Sequence, residues 1–269
     1  MATAAPGSII PERHRVDLGG AQVSWLERPG ADPPVLLLHG WGAEAATFSG
    51  LLRLCRTPRR LVAVDLPGFG HSPLGAPTWT TASYAQLIGA LAADQGWARP
   101  SLIGHSYGGG VSLHLASGPS ALVDRLLLCA ASGIRVPRRG GVGAKVRLFR
   151  TLRRAAETLL PRSAAELAVE WLRQRLGSAD YRQAGELRPV LVRAVQEDLG
   201  LVAAEIRVPT LIVWGSADSE LPLDPHGQRL QQLIAGSELV RFQGSGHFPF
   251  VDQPGRFAAV VDAFMDAQL

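Results

Sequence analysis

Residues 101–110 read Ser101-Leu-Ile-Gly104-His105-Ser106-Tyr107-Gly108-Gly109-Gly110. The stretch opens as an apolar run with the length of a buried strand, and from Tyr107 to Ser117 it has the periodicity of a helix. Between the two lies Gly-x-Ser-x-Gly. A strand that turns directly into a helix does so over very few residues, and side chains beside the turn collide with the neighbouring strand and helix. Glycines at 104 and 108 remove that collision, and the serine Oγ is carried clear of the backbone at the strand's C-terminal end. In a chain with 30 glycines the bare pattern is unspecific. The strand before it and the helix after it give it weight.

Outward from this segment one rhythm repeats. Short apolar runs at 34–39, 60–65, 124–130, 210–214 and 238–242 lack polar alternation, as strands covered on both faces do. Stretches at 81–95, 225–235 and 254–267 have helical periodicity, the last with Asp252 and Pro254 at its start. Ahead of them, 14–18 and 22–28 alternate around Gly19-Gly20, which predicts a hairpin. Strand and helix in alternation predict an α/β fold with a doubly wound, mostly parallel sheet. The alternation lapses from 134 to 208, where 147–160, 163–176 and 187–199 read as helices. The predicted organisation is therefore a core of residues 1–133 and 209–269 with an inserted helical cap or lid of residues 134–208.

The 269-residue chain is 46% hydrophobic and 19% charged, enough to bury a sizeable core. Its formal net charge is +4, but the excess is local. From Arg135 to Arg193 there are 14 basic and 5 acidic residues, a surplus of +9 that leaves −5 for the rest. Such a window fits either solvated outer faces of cap helices or contact with an anionic substrate or carrier. No aromatic residues interleave with the arginines as a nucleic-acid groove would require, so a nucleic-acid partner is not expected. Cys55 and Cys129 have neither disulfide nor zinc spacing and read as buried thiols. No apolar run has the length of a membrane span or a leader peptide, and the expected location is cytoplasmic.

A serine nucleophile needs a base, a group that orients the base, and donors for the developing oxyanion. Ligands of an open α/β sheet bind beyond the C-terminal strand ends, so acids and histidines that follow strands are the candidates. Asp218 follows 210–214 through Gly215-Ser216-Ala217, and His247 follows 238–242 through Gly244-Ser245-Gly246. Glu220 and Asp224 are local rivals of Asp218, and Asp224 is also placed to cap the next helix. The turn His39-Gly40-Trp41-Gly42 can aim a backbone N–H at the serine, so the Trp41 and Tyr107 N–H groups are the candidate oxyanion donors. The bland alternatives are a helix N-cap for Ser106 and an ordinary loop histidine for His247. His39 and His105 read as supports of their turns, and residues 65–72, with Pro67, Gly68 and Gly70, as a shaped loop. Trp41, Tyr107 and Phe248 adjoin these positions and are candidate pocket walls, with Phe149 added from the cap; Trp171 reads as packing.

Five segments together resemble the α/β-hydrolase superfamily: HGWG at 39–42, DLPGFGHS at 65–72, GHSYGG at 104–109, WGSADSELP at 214–222 and GSGHFPF at 244–250. The resemblance spans essentially the whole chain outside the cap, and the order Ser106, Asp218, His247 is that of the family's triad. HGWG with DLPGFG is similar to carboxylesterases and to pimeloyl-carrier-protein methyl ester esterases. The residues flanking Ser106 differ from the latter, so that substrate is not assigned. Serine at 106, where haloalkane dehalogenases and epoxide hydrolases have Asp, argues against both of those reactions. The resemblance implies a serine hydrolase that cleaves small to medium carboxylic esters through an acyl-enzyme, with a small-molecule substrate and no metal or organic cofactor. It equally implies relatives that are thioesterases, C–C bond hydrolases or low-turnover ligand receptors, among which the cap decides.

Overall fold

The computed structural model describes residues 10–76, 78–117, 122–136, 144–176 and 179–267. Its strands are β1 (Glu12–Leu18), β2 (Ala21–Arg28), β3 (Ala31–Leu38), β4 (Arg59–Asp65), β5 (Ser101–His105), β6 (Leu126–Cys129), β7 (Thr210–Gly215) and β8 (Glu238–Phe242). They form one sheet in the order β1-β2-β4-β3-β5-β6-β7-β8. The β1–β2 and β2–β4 pairs are antiparallel and the others parallel. Gly19 and Gly20, with φ of +65° and +94°, make the predicted hairpin turn. Gly104 of β5 lies between Leu38 of β3 and Leu128 of β6, so the chain leaves β3 and β5 side by side.

The helices are α1 (Ser49–Leu54), α2 (Thr81–Asp94), α3 (Tyr107–Ala116), α4 (Ala144–Leu159), α5 (Arg162–Leu176), α6 (Ala179–Gln183), α7 (Arg188–Gln196), α8 (Gly200–Ala204), α9 (Gln228–Leu233), α10 (Pro249–Asp252) and α11 (Pro254–Asp266). Side chains alternate across a strand, so β3 feeds two cores at once. Leu36 and Leu38 join Tyr84, Ile88, Leu91 and Val111 of α2 and α3 on one face. Val35 and Leu37 join Leu51, Phe257 and Val261 of α1 and α11 on the other. Each such fully buried leucine contributes about 1.5–3 kcal/mol of transfer free energy.

Several boundaries depart from the sequence reading. The strand expected at 124–130 is only Leu126–Cys129. The helix expected at 225–235 is regular only over α9, because Asp224 is extended at φ −100°, ψ 113°, and its side chain caps nothing. The helix expected at 187–199 ends at Gln196, where Glu197 turns extended, and a separate α8 follows. Strand β8 sits at the sheet edge, so Glu238 and Arg241 are exposed and the apolar run is not covered on both faces. Between β6 and β7 the described residues include α4 to α8 and no strand. Trp171 is 60% exposed, with the Arg175 guanidinium 5.5 Å from its ring centroid, and so is not packed as expected.

Asp65 at the end of β4 ties these elements together. It is fully buried and accepts from Arg13 Nη1 at 2.6 Å, Ala45 N at 2.7 Å and His71 N at 3.2 Å. A Cβ on Gly70, at φ +54°, would come within 2.3 Å of Asp65 Oδ1, which accounts for glycine there. Ser72 Oγ donates to the Asp65 carbonyl at 2.6 Å and accepts from Ser24 N at 2.9 Å. The loop 65–72 is thus an anchor between β1, β2, β4 and the start of the first helical turn. Replacing Asp65 leaves an arginine and two N–H donors without their acceptor. Asp65→Ala is therefore expected to lower stability by about 2–4 kcal/mol, read as a lower urea midpoint.

Candidate active site

Ser106 occupies the left-handed region, at φ +49° and ψ −113°. A non-glycine residue there stores about 1–3 kcal/mol of strain and persists only where its surroundings hold it. Its N–H donates to the Cys129 carbonyl at 3.0 Å, and its carbonyl accepts from Gly109 N and Ser132 N at 2.9 Å each. The glycines answer to contact distances. A Cβ at 104 would meet Ser112 Oγ at 2.4 Å, one at 108 the Leu38 carbonyl oxygen at 2.2 Å, and one at 109 the Ala131 Cβ at 2.5 Å. Ser106 holds the N-cap position of α3, yet its side chain makes no capping hydrogen bond. The hydroxyl is left for other work.

Across the sheet, His247 Nδ1 lies 2.8 Å from Asp218 Oδ2. Asp218 Oδ1 accepts from Glu220 N and Leu221 N, each at 2.9 Å. Burial alone would raise the Asp218 pKa, but these bonds outweigh it and hold the carboxyl below its usual range. Because Asp218 accepts, the His247 proton sits on Nδ1 and leaves Nε2 with a lone pair. The rivals separate here. Glu220 Oε2 is 3.9 Å from Nε2 and its side chain is mostly exposed, whereas Asp224 belongs to the turn before α9. A Cβ on Gly215 would lie 2.0 Å from the Gly246 carbonyl oxygen, so only glycine lets the two loops come this close.

Ser106 and His247 open on one cavity of about 380 Å³, without a hydrogen bond between them. Trp41 and Tyr107 line it as expected, their rings edge to face at 5.5 Å. Neither backbone N–H donates to a protein acceptor among the described residues, and Gly40 brings the Trp41 loop to Ser106: a Cβ there would lie 3.1 Å from Ser106 Cβ. Asp180, Leu191, Ala194, Val195 and Glu197 come from the helices between β6 and β7. Phe248 does not line the cavity. Its ring packs behind His247, with centroids 4.7 Å from His105 and 6.0 Å from Phe250. Phe149 is likewise absent from the cavity wall; its helix α4 packs on α5.

Among the described residues one arginine of the basic window, Arg135, reaches this wall, where it stands with Asp180, Glu197 and Glu220, while Arg153 and Arg162 pair with Glu157 and Glu166 on exposed helix faces. Arg138 and Arg139 lie outside the described residues. Sequence reasoning missed Glu197, Asp180 and Ile134 as cavity residues, and nothing in their local pattern marks them. Among the described residues no three His, Cys, Asp or Glu side chains gather as metal ligands, and no helix is long and apolar enough to cross a membrane.

Residues 35–260 match the sequence pattern of the Alpha/beta hydrolase family. The chain belongs to this family. An uncharacterized protein of Mycobacterium tuberculosis (strain ATCC 25618 / H37Rv) is 30% identical over 267 residues, covering 88% of this hydrolase and 76% of the relative. Pimeloyl-acyl-carrier-protein methyl ester esterase of Aeromonas hydrophila is 28% identical over 254 residues, covering 89% and 98%. Among solved structures, a serine hydrolase involved in carbazole degradation (CarC enzyme) matches with a TM-score of 0.73 at 21% identity, covering 96% and 100%. That last likeness concerns the α/β-hydrolase fold alone.

Two buried histidines support the site of this family member. His39 Nε2 accepts from Leu66 N at 3.0 Å, so its proton is on Nδ1, which donates to the Gly40 carbonyl at 2.8 Å. His105 Nε2 donates to the His247 carbonyl at 2.9 Å. Burial pushes their pKa values down to about 4 and about 3. Both lie below the unfolded value near 6.5, so below that pH the unfolded chain binds more protons than the folded one. Their contribution is complete above pH 6.5 and is lost as pH falls toward 4, by up to about 1.4 kcal/mol per pH unit for each histidine. The urea midpoint is expected to fall measurably between pH 7 and pH 5; a flat midpoint would contradict neutral burial of both rings.

Proposed function

We propose that this hydrolase cleaves carboxylic esters of small to medium acyl chain with Ser106 as nucleophile, His247 as base and Asp218 as the group that orients it. One observation carries the reading: the strained Ser106 hydroxyl and the Asp218-bound His247 ring open on the same 380 Å³ cavity. The name of the Aeromonas relative, an ester-cleaving enzyme of nearly the same length, supports an ester as the scissile group.

The reaction divides into two acyl transfers. Ser106 Oγ bonds to the ester carbonyl carbon as its proton passes to His247 Nε2, and the carbonyl π electrons move onto oxygen. The Trp41 and Tyr107 N–H groups face that oxyanion, each worth about 10²- to 10³-fold in rate. Collapse breaks the bond to the alcohol oxygen, which takes the proton back from His247 and leaves acyl-Ser106. Water then loses a proton to His247 and attacks the acyl carbon; collapse breaks the bond to Ser106 Oγ, which takes that proton back from His247, and the acid is released. Asp218 stabilises the imidazolium at both stages. In this reading the helices between β6 and β7 act as the lid, and Leu191, Ala194 and Val195 set the space left for the acyl chain.

Hydrolysis of p-nitrophenyl esters from acetate to decanoate tests the assignment. Ser106→Ala is expected to lower kcat by about 10⁴-fold or more, and Asp218→Asn by about 10²- to 10⁴-fold. Asp224→Asn is expected to stay within about threefold of the parent. Activity retained by Ser106→Ala, or lost in Asp224→Asn instead of Asp218→Asn, would sink the triad as proposed.

A further inference from the structure

Helices α4 and α5 form a unit outside both cores of the sheet. Leu160-Pro161 joins them, a connection short enough to make them antiparallel neighbours, and they pack on one another. Ala156 of α4 and Ala165, Val169 and Leu172 of α5 are buried, yet among the described residues none of α4 or α5 belongs to either core. Arg188 of α7 reaches across to this unit and pairs with Glu170 at 2.7 Å.

The outer surface of the pair carries two apolar stripes. Leu148, Leu152, Ala155 and Leu159 follow one another along α4 at intervals of four, three and four residues, and Ala164, Leu167 and Trp171 along α5 at three and four. Such spacing keeps each set on one side of its helix. Leu159 is 78% exposed, Leu167 75% and Trp171 60%. Six of the twelve large apolar side chains exposed among the described residues lie between Leu148 and Trp171, so this is a patch and not a scatter. Counted from the buried seam at about 100° per residue, both stripes turn to the same side of the antiparallel pair, and Glu157, Glu166 and Glu170 to the other.

Charge follows the same division. The three acids already pair with Arg153, Arg162 and Arg188. Residues 144–176 hold eight basic and three acidic residues, a surplus of +5. Arg147 and Arg154 border the α4 stripe and make no ion pair among the described residues, and the Arg175 guanidinium lies 5.5 Å from the Trp171 ring centroid. A partner for this face must therefore be apolar where the leucines stand and negative along their border. Leucine and tryptophan side chains leave water by entering an apolar layer, while arginines beside them keep their heads at its polar boundary. An anionic lipid bilayer supplies both layers, and its surface charge attracts the surplus. A second copy of this chain would set that surplus against itself.

We infer that the α4–α5 face docks on an anionic lipid bilayer, lying in its interface without crossing it. The inference does not depend on which bond the hydrolase cleaves.

Co-sedimentation of the full chain with vesicles tests it, phosphatidylcholine alone against an equal mixture of phosphatidylcholine and phosphatidylglycerol. Binding is expected to the mixture and to be at least about 10-fold weaker to phosphatidylcholine, and to weaken as salt rises from about 0.1 M to about 0.5 M. Leu167→Ser with Trp171→Ser is expected to weaken binding to the mixture by about 10-fold or more. Arg147→Gln with Arg154→Gln is expected to weaken it by about 10- to 30-fold. These side chains are exposed, so the urea midpoint of each variant is expected to match the parent; if the apolar pair of substitutions fails to fold, the arginine pair still decides. Equal binding to both kinds of vesicle, or binding to the mixture that neither pair of substitutions weakens, would overturn the inference. So would absence of binding to either vesicle; a dimer in sedimentation equilibrium that the apolar substitutions dissolve would then assign the face to a second copy.

Discussion

Helix α3 meets the end of β3 with no room for a side chain at residue 108, where a Cβ would lie 2.2 Å from the Leu38 carbonyl oxygen. Beside that contact runs a hydrogen bond, Gly108 N donating to the His39 carbonyl at 3.0 Å. Through it the β5–α3 turn and the β3 exit are locked side by side. Ser106 is forced to φ +49°, and Trp41 and Tyr107 line the cavity beside it. The strain at Ser106 is held by further backbone bonds: its N–H donates to the Cys129 carbonyl, and its carbonyl accepts from the N–H groups of Gly109, Gly110 and Ser132. They belong to β6, α3 and the segment after β6, so the elbow depends on three neighbouring elements.

The second dependence is on the two loops that follow β7 and β8. Gly215 lets the Gly246 carbonyl approach to a distance that no Cβ would tolerate, and this brings Asp218 under His247. His105, at the end of β5, then reaches the His247 carbonyl. The His247 loop is therefore registered against β5 by a buried ring as well as by the Asp218 carboxylate. Phe248 and Phe250 wedge this arrangement from behind, which is why the aromatic next to His247 in sequence packs against it and does not line the cavity.

Charge is divided by surface. The helices between β6 and β7 are rich in arginine, yet the cavity beside Ser106 presents Asp180, Glu197 and Glu220 together with Arg135. Exposed pairs such as Arg153 with Glu157 stabilise little, about 0.3–0.5 kcal/mol each, and are consistent with solvated outer faces. Net charge of a segment thus says little about the chemistry of the wall it presents inward.

The sheet was legible because β3 to β7 are buried on both faces and so read as continuous apolar runs, whereas edge strand β8 was recognised for its apolar residues but not for its exposure. Helices of four to six residues, such as α1, α6, α8 and α10, went unseen because one turn or so is too short to show a 3.6-residue period. The placement of Ser106, Asp218 and His247 at one end of the sheet was legible because each follows a strand through a glycine-bearing turn, and strand ends of a parallel sheet converge. Phe149, Phe248 and Glu197 were not, since sequence adjacency does not say toward which side a loop or helix end turns its residue. Local pattern alone determined the strand order of chemistry: a serine on a sharp turn, an acid, then a histidine. Tertiary structure alone decided which carboxylate reaches the histidine and which aromatics face the cavity, because those depend on contacts between residues far apart in the chain.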